Sequence, residues 1–241
     1  MPRTETISSA RVDLWRVSVP AELGRLDWHM ARLDRDEQAR AAMFRFTIDR
    51  ARYAIGRSTI RALLARVLQV DGQRLGLGAS RSGKPFLISP HQGVQFNSSH
   101  SGEWVLHAIT RVEPVGVDVE AVRQDFAHVE DFEAVLAPEE LQTLRAVPKG
   151  GRAKALATVW ARKEAYVKAL GDGVGRGLGG IAIVDHPRDG PRLLRDASPG
   201  AEPAAWTIRD VDVGPNHCAS VVVRGRPSLL AVRDYAAHAG Y

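Results

Sequence analysis

The hydrophobic pattern of this chain switches between the period of a strand and that of a helix, and the order of the switches restricts its fold more than any single motif. Residues 11–18, RVDLWRVS, alternate apolar and polar as a half-buried strand does, and Pro20 closes the run. Two stretches of helical spacing follow. Residues 33–44 open behind Asp34 and Asp36, and residues 51–70 carry Tyr53, Ile55, Ile60, Leu63, Leu64 and Val67 on one face before Asp71-Gly72 ends them. From 75 to 119 the pattern breaks into β-like pieces, PFLI, VQF, WVLHAI and VGVDV, separated by Gly, Ser, Pro and Asn. Helical text returns over 138–170, and strands are expected again at 180–184, 205–208 and 219–223. Strand, helix, strands thus occurs once in each half. The halves share negligible identity, so the repeat is one of architecture, and the expected class is α+β. The stretch 186–204, rich in Pro, Gly, Asp and Arg, reads as a long connection or a hairpin edge.

With 44% hydrophobic and 25% charged residues, 241 residues can close one large domain or two halves. A lone cysteine, Cys218, excludes an internal disulfide and argues against structural zinc, which fits a reducing cytosol. The first ten residues lack an export pattern, and no apolar run approaches the ~18 residues that span a bilayer. The net charge of +5 is unevenly spread. Arg35, Arg40, Arg45, Arg50, Arg52, Arg57 and Arg61 crowd one stretch, as an anion site or a solvated helix face would. Nothing in that stretch resembles a nucleic-acid platform: aromatic interleaving, an RNP-like signature and a Cys/His finger are all missing.

Two glycine-rich stretches imitate nucleotide-binding loops and fail on context. GASRSGK (78–84) is followed by Pro85, which has neither the hydroxyl nor the N–H that a P-loop needs at that place. Gly175, Gly177 and Gly180 follow a helix and lead into a strand, the reverse of a dinucleotide fingerprint.

Three other segments carry chemistry. In VGVDVE (115–120) the valines share one strand face, so Asp118 and Glu120 project together from the other, about 6.6 Å apart at Cα. Such a pair repels itself unless a hard divalent ion lies between, or else it is an exposed, solvated face. In WARKEAYVK (160–168), Glu164 and Lys168 border an apolar stripe of Leu156, Val159, Trp160, Val167 and Leu170. That position suits a metal ligand or base beside a phosphate-binding ammonium, and it equally suits a surface ion pair. FNSSHSG (96–102) reads as a polar turn that exposes His100 and offers hydroxyls to an anion.

In order and spacing, the Gly-Lys-Pro turn (83–85), N-x-S-H-S (97–101), G-V-D-V-E (116–120) and W-x-x-K-E-A-x-x-K (160–168) resemble the signature of the 4′-phosphopantetheinyl transferases of the surfactin-synthetase-activator type. Ala161 departs from the Ser or Thr usual there, outside the ligand positions. The resemblance implies two pseudo-twofold-related halves, 1–112 and 113–241, each a small antiparallel sheet packed on a long helix, with the cofactor cleft between them and a monomeric state. It implies transfer of phosphopantetheine from coenzyme A to a serine of an apo acyl or peptidyl carrier protein, releasing adenosine 3′,5′-bisphosphate. Asp118, Glu120 and Glu164 would hold Mg²⁺, with Mn²⁺ as a substitute, and Lys168 would offset the phosphate charge. Lys84, His100, Arg40, Arg45 and Arg52 are the candidates for the diphosphate and 3′-phosphate, with Ser99 as a hydrogen-bond donor. Glu164 or a metal-bound water would take the serine proton. The partners implied are coenzyme A and an acidic carrier steered by the basic chain, with neither nucleic acid nor membrane. A metal-dependent phosphohydrolase and a catalytically silent coenzyme A or carrier-binding module are the alternative readings. The intact set of Asp118, Glu120, Glu164 and Lys168 speaks against the silent module.

Overall fold

A computed structural model describes residues 11–79, 85–89, 93–111, 113–171 and 177–236. β1 (Arg11–Ser18) ends where Ser18 caps a short helix, α1 (Val19–Glu22), that holds Pro20 in its first turn. α2 (Leu26–Met30) leads to α3 (Arg35–Ala42), which opens on a capping box between Asp34 and Glu37. The long helix α4 (Thr47–Leu68) starts earlier than the sequence predicts and stops on Gln69, whose left-handed φ of 56° ends it before Asp71-Gly72.

Five strands follow: β2 (Gly76–Ala79), β3 (Pro85–Ser89), β4 (Val94–Ser101), β5 (Trp104–Arg111) and β6 (Val115–Ala121). The predicted helical stretch 138–170 is two helices, α5 (Pro138–Ala146) and α6 (Lys149–Leu170), divided at Val147-Pro148 because a residue before proline is pushed out of helical geometry. β7 (Ile181–His186), β8 (Gly190–Asp196), β9 (Trp206–Val211), β10 (His217–Arg224) and β11 (Leu229–Asp234) complete the chain. The sequence pattern marks no strand at β11. β8 forms a hairpin with β7, the second of the two readings of 186–204.

One sheet has the order β11-β1-β5-β4 and the other β6-β10-β9, with β2-β3 and β7-β8 as separate hairpins. Burial on both faces of each main sheet builds four layers. Val17, Phe96, Val105 and Ile109 pack under Ile55, Ile60 and Leu64 of α4. The alternate residues Val12, Leu14, Leu106 and Ala108 face Val115, Val117 and Val119 of β6 and Val221 and Val223 of β10. Beyond them, Val222 and Ile208 pack on Ala165, Tyr166 and Ala169 of α6. The order is α4, first sheet, second sheet, α6. The sheets are antiparallel except where β11 runs parallel to β1, from Arg11 opposite Leu229 to Arg16 opposite Asp234. None of the described helices is long and apolar enough to cross a membrane.

Candidate active site

The first and second sheets meet where β4 lies beside β6, and side chains replace the backbone ladder there. Asn97 Oδ1 accepts from Val117 N at 2.9 Å, Ser99 Oγ donates to Asp118 Oδ1 at 2.7 Å, and Ser101 Oγ accepts from Ala121 N at 3.0 Å. Residues 97–101 are therefore not the turn expected of a hydroxyl-rich stretch. They are strand, and period-two alternation sends Asn97, Ser99 and Ser101 toward β6 while Ser98 and His100 face α4's side. The turn is at Gly102, whose φ is +54°.

Gly116, two residues before Asp118, is where α6 presses on the diacid strand. An added Cβ would collide with Ala165 O and Ala169 N, so only glycine lets the helix come this close. That contact carries Glu164 and Lys168 over Asp118. The opposite side of α6 is anchored: Arg162 bridges Asp210 and Asp185, Tyr166 donates to Asp196 at 2.8 Å, and Lys163 forms a buried ion pair with Glu140 at 2.5 Å. Lys163 Nζ also donates to Val135 O and Leu178 O, and Glu140 accepts from Ala137 N and Ile183 N, so the buried pair is satisfied on every side.

The result is a cavity of about 390 Å³ lined by Ser98, Ser99 and His100 of β4, Asp118 and Glu120 of β6, and Trp160, Glu164 and Lys168 of α6. Lys168 Nζ sits 2.5 Å from Asp118 Oδ1 and donates to Ser99 Oγ at 3.1 Å. Ser99 gives its one proton to Asp118 and accepts from Lys168, so in this arrangement it is a bridge between them. Burial raises the pKa of all three carboxyls. For Glu120, burial and the neighbouring Asp118 charge push it up to about 7. Burial raises Glu164 against the pull of Lys168, and raises Asp118 in the same way. His100 keeps an exposed edge, yet burial of the ring and then the Arg52 and Lys168 charges lower its pKa, so the ligand-free ring is neutral at pH 7.

Among the described residues no three His, Cys, Asp or Glu side chains stand close enough together to form a ready metal cluster. The donor set nevertheless fits a hard cation. Asp118 Oδ2 is buried without a hydrogen-bond partner, and the two other carboxyls line the same cavity. Mg²⁺ takes few protein carboxylates and completes its shell with substrate oxygens and water.

The other expected ligands divide. Arg52 does not line the cavity, but its charge acts on His100, which does, and it donates to Gly102 O at 3.1 Å while paired with Asp49 at 2.7 Å. Arg40 and Arg45 are exposed beside Phe44 and Phe46 and do not line the cavity. Lys84 lies outside the described residues. Arg57 and Arg61 of the basic stretch are structural, since both grip Glu37 at 2.7 Å and so hold α3 to α4. The sequence reading missed Ser98 as a lining residue and took Trp160 for core. Alternation carried through 97–101 would have found the first.

The description "4′-phosphopantetheinyl transferase superfamily" matches residues 114–222, and "4′-phosphopantetheinyl transferase, N-terminal" matches residues 21–111. Among solved structures, the Helicobacter pylori holo-[acyl-carrier-protein] synthase is 19% identical, covering 46% of this chain and 99% of its own with a TM-score of 0.37. A phosphopantetheinyl transferase of Thraustochytrium sp. is 33% identical over 89% of this chain and 79% of its own length. The 4′-phosphopantetheinyl transferase HetI of Nostoc sp. is 32% identical over 93% of this chain and 92% of its own. With that likeness running nearly end to end, and both halves matched by models of the same enzymes, the chain belongs to the 4′-phosphopantetheinyl transferase superfamily.

Proposed function

We propose that this enzyme moves the 4′-phosphopantetheine group of coenzyme A to a serine of an apo acyl or peptidyl carrier protein, releasing adenosine 3′,5′-bisphosphate, with Mg²⁺ or Mn²⁺ as cofactor. One observation carries the reading: Asp118, Glu120 and Glu164 share a single cavity with Lys168, and Asp118 keeps a buried oxygen without a partner. Asp118, Glu120 and Glu164 would hold the metal. Bound there, Mg²⁺ neutralises diphosphate charge and orients its oxygens.

The remaining chemistry belongs to the chain. A bond forms between the carrier serine Oγ and the pantetheine-side phosphorus, and the anhydride P–O bond to the nucleotide breaks. The leaving bisphosphate departs with the electron pair, and Lys168, already paired with Asp118, offsets its charge. Glu164 takes the serine proton; burial raises its pKa and makes it a stronger base than an exposed carboxylate. Arg52 and His100 would receive the nucleotide phosphates. Coenzyme A would lie between the halves, which act together as a monomer, and the chain's basic balance favours encounter with an acidic carrier.

The test is to incubate the chain with coenzyme A, Mg²⁺ and a panel of apo carriers and to weigh each carrier intact. One carrier should gain a single phosphopantetheine. Cleavage of coenzyme A with every carrier unmodified would make the chain a phosphohydrolase instead. In the same assay Glu164→Gln should lose at least about a hundredfold in rate, and full activity in that variant would remove Glu164 as the base.

A further inference from the structure

On the face of β4 turned away from the diacid, Ser98 begins a buried chain of hydrogen bonds that the transfer reaction does not use. Ser98 Oγ lies 2.7 Å from His107 Nδ1, and His107 Nε2 lies 2.9 Å from Thr59 Oγ1 on α4. Thr59 Oγ1 is itself 2.7 Å from Ile55 O. His107 and Thr59 are both fully buried.

The proton positions follow from the last contact. A carbonyl oxygen has no proton to give, and two bare oxygens do not rest 2.7 Å apart, so the Thr59 hydroxyl must donate to Ile55 O, as helical threonines commonly do. Thr59 can then only accept from His107, which places the ring proton on Nε2. Nδ1 is left as a lone pair and takes the Ser98 proton. Burial keeps this ring neutral, with its pKa pushed down to about 3, so no second ring proton intervenes. Every proton in the chain runs toward α4, so the Ser98 hydroxyl has only lone pairs to offer to the cavity that Ser98 lines.

We infer that Ser98 is a specificity residue that accepts a hydrogen bond from a neutral O–H or N–H donor of bound coenzyme A, not from its phosphates, with His107 and Thr59 as the positioning residues that fix its polarity. This rests on the coenzyme A reading above. The coenzyme carries such donors in its ribose, its amino group and its pantetheine amides. A phosphate oxygen would meet lone pair with lone pair.

Two measurements test it. Long-range ¹H–¹⁵N NMR of the wild-type chain reads the His107 tautomer directly; Nε2–H is expected, and Nδ1–H would overturn the inference. Calorimetric binding of coenzyme A then reads the consequence. Ser98→Ala should weaken binding about three- to tenfold, with the same factor for 3′-dephospho-coenzyme A. Thr59→Val removes the acceptor of the Nε2 proton, so the proton should move to Nδ1 and the Ser98 hydrogen should turn into the cavity. That variant should bind coenzyme A at least as weakly as Ser98→Ala, and Thr59→Ser should restore wild-type affinity. Tighter binding by Thr59→Val, unchanged binding by Ser98→Ala, or a Ser98→Ala loss that vanishes without the 3′-phosphate would each overturn the inference. Failure of the wild-type chain to bind coenzyme A at all would bring down the functional reading as well, and is distinguished by appearing before any substitution is made.

Discussion

Glu120 shows how one side chain links protonation to function. Its carboxyl ordinarily titrates near 4.5, and the fold pushes it to about 7, chiefly by burial and then by the Asp118 charge. The native chain therefore holds this proton more tightly than the unfolded chain does. Stability from this group is fully present below pH 4.5 and is lost as pH rises through 7. Thermal unfolding in the presence of a chelator should thus show the melting temperature falling across pH 4.5 to 7 on account of Glu120, and Glu120→Gln should flatten that fall. Metal binding runs the other way, because a ligand carboxylate must be ionised. Mn²⁺ affinity, followed by electron paramagnetic resonance, should drop about tenfold per pH unit below 7. An affinity level from pH 7 to 5 would separate Glu120 from the metal.

At the scale of elements, the site depends on how α6 is seated, and each of its sides can be disturbed separately. Gly116→Ala puts a methyl against the backbone at Ala165 and Ala169, so the helix must lift from β6. We expect a loss of about 1–3 kcal/mol in denaturant unfolding, with a larger loss of transfer as Glu164 and Lys168 move from Asp118. On the far side, Lys163→Met strands the buried Glu140 charge. That should cost about 3–5 kcal/mol, whereas replacing both members by apolar residues of similar size should recover most of it. Urea titration of the single and double variants distinguishes a buried pair from a dispensable surface bridge.

Across the whole molecule, β11 returns the end of the described chain to the first sheet. Arg16 pairs with Asp234 at 2.8 Å, Tyr235 N donates to Arg16 O at 2.8 Å, and Arg233 meets Asp13. Removing residues 229–241 would bare the β1 edge to solvent. The expected outcome is a lower urea midpoint and concentration-dependent association in sedimentation, since an open strand edge recruits another. An unchanged midpoint would make β11 an ornament on the first sheet. On the division proposed at 112, a fragment of residues 1–112 carries the same bare edge, and its solubility alone and with residues 113–241 would test that boundary.

Periodicity alone determined much of this protein: β1, the two long helices and the valine face of β6 are written locally, because a strand or helix with one buried side must repeat its apolar residues at a fixed interval. Asp118, Glu120, Glu164 and Lys168 could be singled out for the same reason, since each stands at a set offset from an apolar stripe. What they meet was not local. Residues 97–101 look like a turn until β6 supplies the groups that their hydroxyls bind, and Lys163 looks like a surface lysine until Glu140, 23 positions earlier, is folded beside it. The partner of β11 lies at the other end of the chain. Hydrogen bonds and charges are satisfied by whatever the fold brings near, so partners distant in sequence leave no periodic trace, and only the tertiary structure decided them.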